Sequence, residues 1–445
     1  MSIRSITTAL LGAFWGLAAV AQGPVSLSLQ QAVDLAAKQS YQVKASALEA
    51  EKARHKVKEF TAVGLPQING EVQLQNFIDV PTQLIPNFFT PGQGPEFIAA
   101  QFGLPWNASA GLTLTQLIFD GSYLVGLKAT RTIAESSRLD LQKAEADARN
   151  QAAKAYFGVL AAEEGAKLAG EGIPLLEKAL REVNAMLENG FMETTDVDRL
   201  TIQLEQARTQ QRSFVQQAEV ARLLLALTLG LPQGTPMTLT DDLTKILADA
   251  NEISLTEQPV QIGTHVEQKQ AETLVLLQDL NRKNERTKAM PSLGAFLSHQ
   301  QVWNGPDFDP GGTYQFYPTT VWGAKLTVPI FSSGNRHHKV KQAEIALSQV
   351  EVNRTATEQR LLATAEQSRS QARTAFDNFR TEERSLKLSK DIMDRTSIKF
   401  TNGAAASFEL TQEQGNYLIA QQTYIQRMVE LLMARADLRK ALDLY

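Results

Sequence analysis

Thr320-Val321-Trp322-Gly323-Ala324-Lys325-Leu326-Thr327-Val328-Pro329-Ile330-Phe331 puts Thr320, Trp322, Ala324, Leu326, Val328 and Ile330 on one side of an extended chain and Gly323, Lys325 and Thr327 on the other. A period of two held over that length predicts a half-apolar β-strand. The stretch has an earlier copy. Gly111, Leu114, Thr115, Ile118 and Phe119 recur as Gly323, Leu326, Thr327, Ile330 and Phe331. One inserted residue later, Gly121 recurs as Gly334 and Lys128 as Lys341. The match runs on through Asn189-Gly190 with Asn402-Gly403, Ala207 with Ala420, Ala221-Arg222 with Ala434-Arg435 and Leu231 with Leu444. A fixed offset over that distance predicts two copies of one unit. Pro66 and Pro291 anchor a weaker match upstream. The expected organisation is a first repeat over residues 22–231, a linker over 232–258 and a second repeat over 259–445.

Within each repeat the hydrophobic period changes in the same order. Residues 27–62 have no internal Gly or Pro and carry Leu29, Val33, Ala36, Val43 and Ala47 on one side, which predicts a helix ended by Gly64-Leu65-Pro66. Ile68, Val72 and Leu74 then alternate with Asn69, Glu71, Gln73 and Gln75, and Ala108, Ala110, Leu112 and Leu114 alternate with Ser109, Gly111, Thr113 and Thr115. Between these two strands the Pro-rich stretch from Pro81 to Pro105 reads as a loop. Leu293, Ala295 and Leu297 open the strand pair of the second repeat.

A long helix follows each pair, roughly residues 122–188 and 335–401, each on the order of 100 Å at 1.5 Å per residue. In the first, Leu141, Ala148, Ala155, Ala162 and Ala169 interleave with Glu145, Ala152, Val159 and Ala166, a heptad seam made mostly of alanine. Pro174 interrupts it and could kink the helix. After Asn189-Gly190 a further helix has the seam Val197, Leu200, Leu204, Ala207, Gln211, Phe214, Ala218, Ala221 and Leu225; its repeat runs Tyr417, Ala420, Tyr424, Arg427, Leu431, Ala434 and Leu438. Two helices of about 36 residues match the rise of the long one, so each unit can form an antiparallel pair of helical columns with strands at one end and an Asn-Gly turn at the other.

Composition narrows what such a chain can do. The 445 residues include no Cys, which excludes disulfides, thiolate metal sites, a cysteine nucleophile and an acylated N-terminal Cys. A net charge of −4 argues against nucleic-acid binding. Arg4, the apolar residues 6–20 and Ala19-Val20-Ala21 fit a signal peptide over residues 1–21, whose loss takes the charge to −5. Beyond it the longest apolar run, Leu223 to Leu231, is too short to span a bilayer as a helix, so any membrane entry must use β-strands. Four strands are too few to close a barrel and an open edge cannot face lipid, so two, three or four chains should share one barrel. No Ser-His-Asp arrangement, phosphate loop or paired carboxylates points to an enzyme. His337-His338 point about 100° apart on a helix, a poor chelate, and Asp307 and Asp309 lack the downstream Glu of an EF-hand. No cofactor or resident metal is expected. Trp106, Trp303, Tyr314, Phe316, Tyr317 and Trp322 fit an interfacial aromatic girdle or packing between loops.

These features together resemble the TolC-like outer-membrane efflux proteins. The resemblance is carried by the tandem strand-strand-long-helix units, the junctions Phe119-Asp120-Gly121 and Phe331-Ser332-Ser333-Gly334, and the two Asn-Gly turns. Each turn is followed by an acid and an aliphatic residue, Asp196-Val197 and Glu409-Leu410. It implies an α+β membrane protein: a homotrimer with a twelve-stranded barrel in outer-membrane lipid, a helical tunnel in the periplasm and an equatorial linker between repeats. It also implies a passive duct of a tripartite efflux or type I secretion system. The partners it implies are a periplasmic adaptor and an inner-membrane pump of the RND or ABC type. A periplasmic coiled-coil adaptor or scaffold is the alternative, since it would share signal peptide and heptads. By resemblance the periplasmic gate falls on Glu409, with Gln412 where the family often has a second acid, Glu413 beside it, and Asp196 in the first repeat. N-terminal helix charge alone would also account for Glu409 and Asp196. Asn189, Gly190, Phe191 and Met192, with Asn402, Gly403, Ala404 and Ala405, resemble the adaptor-docking tips, although an Asn-Gly helix cap needs no partner to explain it.

Overall fold

The computed structural model describes residues 25–88, 95–248, 257–308 and 313–445. The segment read as a signal peptide and Asp309 lie outside the described residues. The chain is mostly helical, in the order β1 (Val25–Leu27), α1 (Leu29–Gln39), α2 (Tyr41–Ala62), β2 (Gln67–Asn76), β3 (Thr82–Pro86), β4 (Phe97–Gln101), β5 (Trp106–Phe119), α3 (Gly121–Glu188) and α4 (Thr194–Thr228). Then come β6 (Met237–Leu239), α5 (Leu243–Ala248), a 3-10 turn at Ile262–Thr264, α6 (Val266–Thr287), β7 (Ser292–Gly305), β8 (Tyr317–Thr327), α7 (Asn335–Thr401) and α8 (Ser407–Ala441).

Residues 44–144 and 260–366 form one compact unit. Its centre is a fully antiparallel four-stranded sheet in the order β2-β5-β7-β8. Directly opposed residues share a face of a sheet. The register sets Ile68 against Leu114, Leu114 against Leu297 and Leu297 against Trp322, while Asn69, Thr113, Ser298 and Val321 align on the other face. One face is therefore rich in Ile68, Val72, Leu74, Leu112, Leu297, Trp322 and Leu326, all exposed, and the other in Gln, Thr, Ser and Asn. The residues of edge strands β2 and β8 are almost all exposed among the described residues. Gly111 lets β5 and β7 approach, because a Cβ there would lie 2.9 Å from that of Gln300 and 3.0 Å from the His299 carbonyl.

The stretch expected to be a loop between the first two strands instead folds as a second hairpin, β3 with β4. Pro81, Pro86, Pro95 and Pro105 sit at or beyond the ends of those short strands, where a missing N–H is tolerated. The aromatics also divide. Trp303 is buried, Trp106 lies 5.4 Å and Trp303 6.3 Å from Phe308, and Tyr314 packs on Trp303 at 4.5 Å, so these rings form a small core under the β7–β8 connection. Phe316, Tyr317 and Trp322 remain exposed, but the register places Trp322 on the apolar face and Tyr317, opposite Val302, on the polar one.

Residues 25–43, 145–259 and 367–445, where described, make up the other unit. Four helical segments meet in a core of Leu176, Ala179 and Val183 from α3, Leu200, Leu204 and Ala207 from α4, Phe400 from α7 and Leu410 from α8. The alanine seam of α3 is buried at Ala148, Ala152, Ala162 and Ala169, and the helix runs through Pro174 without a break. The seam of α8 holds in part: Tyr417, Leu431 and Leu438 are buried as expected, whereas Ala420, Tyr424, Arg427 and Ala434 are only half-buried and the buried row also takes in Leu410, Gln414, Gln421, Ile425, Met428, Leu432 and Arg435. Two of these polar ends find carbonyls, Gln421 Nε2 donating to Leu168 O at 3.0 Å and Arg435 Nη1 to Ile246 O at 3.2 Å, whereas the buried Oε1 of Gln414 has no hydrogen-bond partner among the described residues.

Two further departures come from local chemistry. The helix expected over residues 27–62 is split at Ser40, whose ψ of 145° is extended. Its hydroxyl accepts from Val43 N at 3.4 Å and so caps α2. The linker is also not plain: β6 pairs in parallel with β1, Val25 against Met237 through Leu27 against Leu239. The hydroxyl of fully buried Tyr156 lies 3.0 Å from Leu27 O and 3.1 Å from the Asp241 carboxylate, fastening α3 to both.

Candidate gate and docking turns

Each long helix ends in the same construction. At the end of α3, Gly190 N donates to Leu187 O and Phe191 N to Met186 O, both at 2.9 Å; at the end of α7, Gly403 N donates to Phe400 O at 2.9 Å and Ala404 N to Lys399 O at 2.8 Å. These paired bonds are the Schellman arrangement, which needs a left-handed residue after the cap. Gly190 and Gly403 supply it with φ of 75° and 70°. The preceding Asn side chains close the last turn, Asn189 Nδ2 on Ala185 O at 2.6 Å and Asn402 Nδ2 on Ile398 O at 2.8 Å.

The residues after the two glycines differ. Phe191 is 81% exposed, whereas Met192 is half-buried against the four-helix core, as is Ala405. Ala404 is exposed and small. The candidate docking surface thus has one large apolar side chain per chain, Phe191. Phe408, also exposed, lies under the Arg199 guanidinium at 5.4 Å.

Asp196 and Glu409 occupy equivalent places in the repeats but have different surroundings. The Asp196 carboxylate accepts from the backbone of Glu193 at 3.3 Å and from the hydroxyl of buried Ser407. It thereby ties the start of α4 to the start of α8. Glu409 is exposed in the first turn of α8 and has no ion pair among the described residues. Gln412 is exposed and donates to Asn416 Oδ1, which in turn donates through Nδ2 to Glu413; both contacts are 3.3 Å. Glu409, Gln412, Glu413 and Asn416 follow helical spacing, so they form one polar stripe beside the buried row that contains Leu410 and Gln414. Gln203 Nε2 adds a second α4–α8 tie, donating to Thr411 O at 2.5 Å.

The Asp196–Ser407 tie escapes a reading by repeats, because it joins positions that are not counterparts. The only sequence signal for it is a serine directly before the apolar row of α8, a usual helix-start residue. Elsewhere, the rings of His337 and His338 are perpendicular and 5.3 Å apart. Among the described residues no group of three metal-binding side chains occurs and no helix is long and apolar enough to cross a membrane.

Residues 270–443 match the sequence family described as Outer membrane efflux protein. No curated protein matches the chain. Several solved structures share the fold. CusC, whose structures concern folding and transmembrane channel formation, is 17% identical with a TM-score of 0.72, covering 93% of this chain and 91% of its own. The CmeC outer membrane channel of Campylobacter jejuni is 17% identical with a TM-score of 0.67 over 93% and 85%. The MtrE outer membrane channel of Neisseria gonorrhoeae, in its open state, is 16% identical with a TM-score of 0.66 over 93% and 88%.

Proposed function

For a chain whose residues 270–443 match the outer membrane efflux protein family and of which 93% shares the fold of solved outer-membrane channels, we propose a passive duct of a tripartite efflux or type I secretion system. Three chains share one twelve-stranded barrel in outer-membrane lipid. The observation that carries this reading is the four-stranded sheet with one exposed apolar face and two open edges. In lipid every backbone group of β2 and β8 needs a partner, and only another chain can supply it. The polar face then lines a pore. The helices continue the conduit into the periplasm, Glu409 of each chain faces its narrow end, and the two Schellman turns with Phe191 meet a periplasmic adaptor that leads to an inner-membrane pump.

Three carboxylates near one axis repel each other when the end is shut and draw in cations. The duct itself performs no chemistry, and its energy comes from the pump. Native mass spectrometry of detergent-extracted protein tests the assembly. A mass of three chains and a steady conductance in planar bilayers support it; a detergent-independent soluble monomer or dimer removes the membrane barrel altogether.

A further inference from the structure

The first turns of the two long helices carry opposite chemistry. After Gly121 the first repeat has Ser122-Tyr123-Leu124-Val125-Gly126-Leu127; after Gly334 the second has Asn335-Arg336-His337-His338-Lys339-Val340. In the first, the segment is packed. Tyr123 stacks on Phe60 of α2 at 5.7 Å, its hydroxyl donates to Thr61 O at 3.1 Å, and a Cβ on Gly126 would fall 2.5 Å from the Phe60 ring.

In the second repeat the same positions face outward. His337, His338 and Lys339 are exposed, and none has an ion pair or side-chain hydrogen bond among the described residues. Arg336 Nη1 donates to Pro329 O at 3.0 Å, which draws its guanidinium back toward the end of β8. Lys341 and Arg286 share Glu344 at 2.9 and 2.7 Å, so this trio adds one net positive charge beside the run. Helix stability does not account for these cations, because a first helical turn favours acids and α7 has none there.

What precedes the run is apolar. Trp322, Ala324 and Leu326 take every second position on the apolar face of β8, Val328 and Ile330 continue the same spacing in the chain past its end, and Ile330 and Phe331 are 91% and 85% exposed. Within five residues the chain passes from this exposed apolar pair to four basic side chains. That order matches the boundary between hydrocarbon and phosphate, where apolar groups enter the bilayer and Arg and Lys hold headgroups.

We propose that Arg336, His337, His338 and Lys339 form a contact for anionic phospholipid at the level where the apolar stripe ends, with Ile330 and Phe331 at the edge of the hydrocarbon. The proposal rests on the membrane reading above. Arg336 and Lys339 supply permanent charge, and the two imidazoles supply hydrogen bonds to phosphate oxygens. In a trimer the contact occurs three times, between first-repeat segments that are closed by packing.

The test is native mass spectrometry of the assembled protein in detergent, given equal amounts of phosphatidylglycerol and phosphatidylcholine. The wild type should retain phosphatidylglycerol in preference. R336Q/K339Q should lower that preference about five-fold per cation removed, and H337Q/H338Q by less. K387Q/K390Q, which removes the same charge from exposed positions elsewhere on α7, should leave it unchanged. Equal retention of both lipids by the wild type, or an equal loss in K387Q/K390Q, overturns the proposal. Displacement of the lipid by millimolar inorganic phosphate overturns it in favour of a free-anion site. Quenching of Trp322 fluorescence by brominated phosphatidylcholine keeps the two readings apart. Absence of quenching removes the membrane reading and the contact with it; quenching without lipid preference removes the contact alone.

Discussion

Gly190 and Gly230 share a left-handed backbone, with φ of 75° and 70°, but not the same surroundings. Around Gly190 an added Cβ would meet nothing within 4 Å; at Gly230 it would fall 2.2 Å from the Gln39 carbonyl oxygen. Strain alone therefore acts at Gly190, at a cost of about 1–2 kcal/mol for a non-glycine residue. Gly190→Ala should lower stability by that amount, and Gly230→Ala by at least twice as much, because backbone must move as well. Thermal unfolding of the two variants decides it; equal losses would mean that the turn after α4 yields. Asp196 and Glu409 make a second contrast. Asp196→Ala removes the acceptor of Ser407 and should loosen the turns, seen as faster hydrogen exchange at the starts of α4 and α8. Glu409→Ala breaks no contact, so it should leave exchange unchanged and alter only conductance and cation selectivity. Unchanged conductance and selectivity would remove Glu409 from the gate. Bulky charged replacements at Gly190 and Gly403 should abolish export while leaving assembly intact, and normal export would end the docking assignment.

The order of the elements was readable because the main strands and helices have unmixed periods, and the duplication doubled every weak signal. What was missed depends on partners distant in sequence or on single hydroxyls. Ser40 breaks a helix without Gly or Pro, and β1 and β6 are three-residue strands that exist only as a pair. Gln414, Gln421 and Arg435 lie in the buried row of α8 although a hydrophobic pattern passes over them. Asp196 reads as a gate acid only through the family resemblance, and its hydrogen bond to Ser407 required the fold. Glu267 was likewise silent. At the start of α6 it meets Lys143 of α3 at 3.1 Å and Arg360 of α7 at 2.5 Å, with 19% of its side chain exposed. Burial pushes its pKa up, but the hydrogen bonds from Arg360 and Lys143 outweigh that and hold it below the usual carboxylate range. A carboxyl depressed in the folded state stabilises above its unfolded pKa, about 4.3, and that stability is lost as pH falls through the folded value. The thermal stability of the wild type should therefore fall below about pH 4.3. Glu267→Gln should cost about 1 kcal/mol at neutral pH, between exposed and buried pairs, and flatten that acid limb. An unchanged limb would show that other carboxylates set it.

Assembly is the property that a single chain implies without containing it. Four strands per chain close a barrel at eight, twelve or sixteen strands for two, three or four copies, and each closure must join β2 of one chain to β8 of the next. The absence of cysteine makes this directly measurable. A chain with one cysteine on β2, stepped through Asn69, Glu71 and Gln73, and one on β8, stepped through Thr319, Val321 and Gly323, can cross-link only between chains if the sheet order is kept. Those positions lie on the polar face, so the bond would form in the pore and leave the lipid-facing side undisturbed. Matching registers should give oxidised products of one, two and three chains and nothing larger, because a closed ring has no free edge. Single-cysteine controls, with β2 or β8 substituted alone, should stay at one chain. A product that stops at two or four chains would replace the trimer with another closed barrel. An open series beyond four would mean that the edges add without closing, and the pore would go with them.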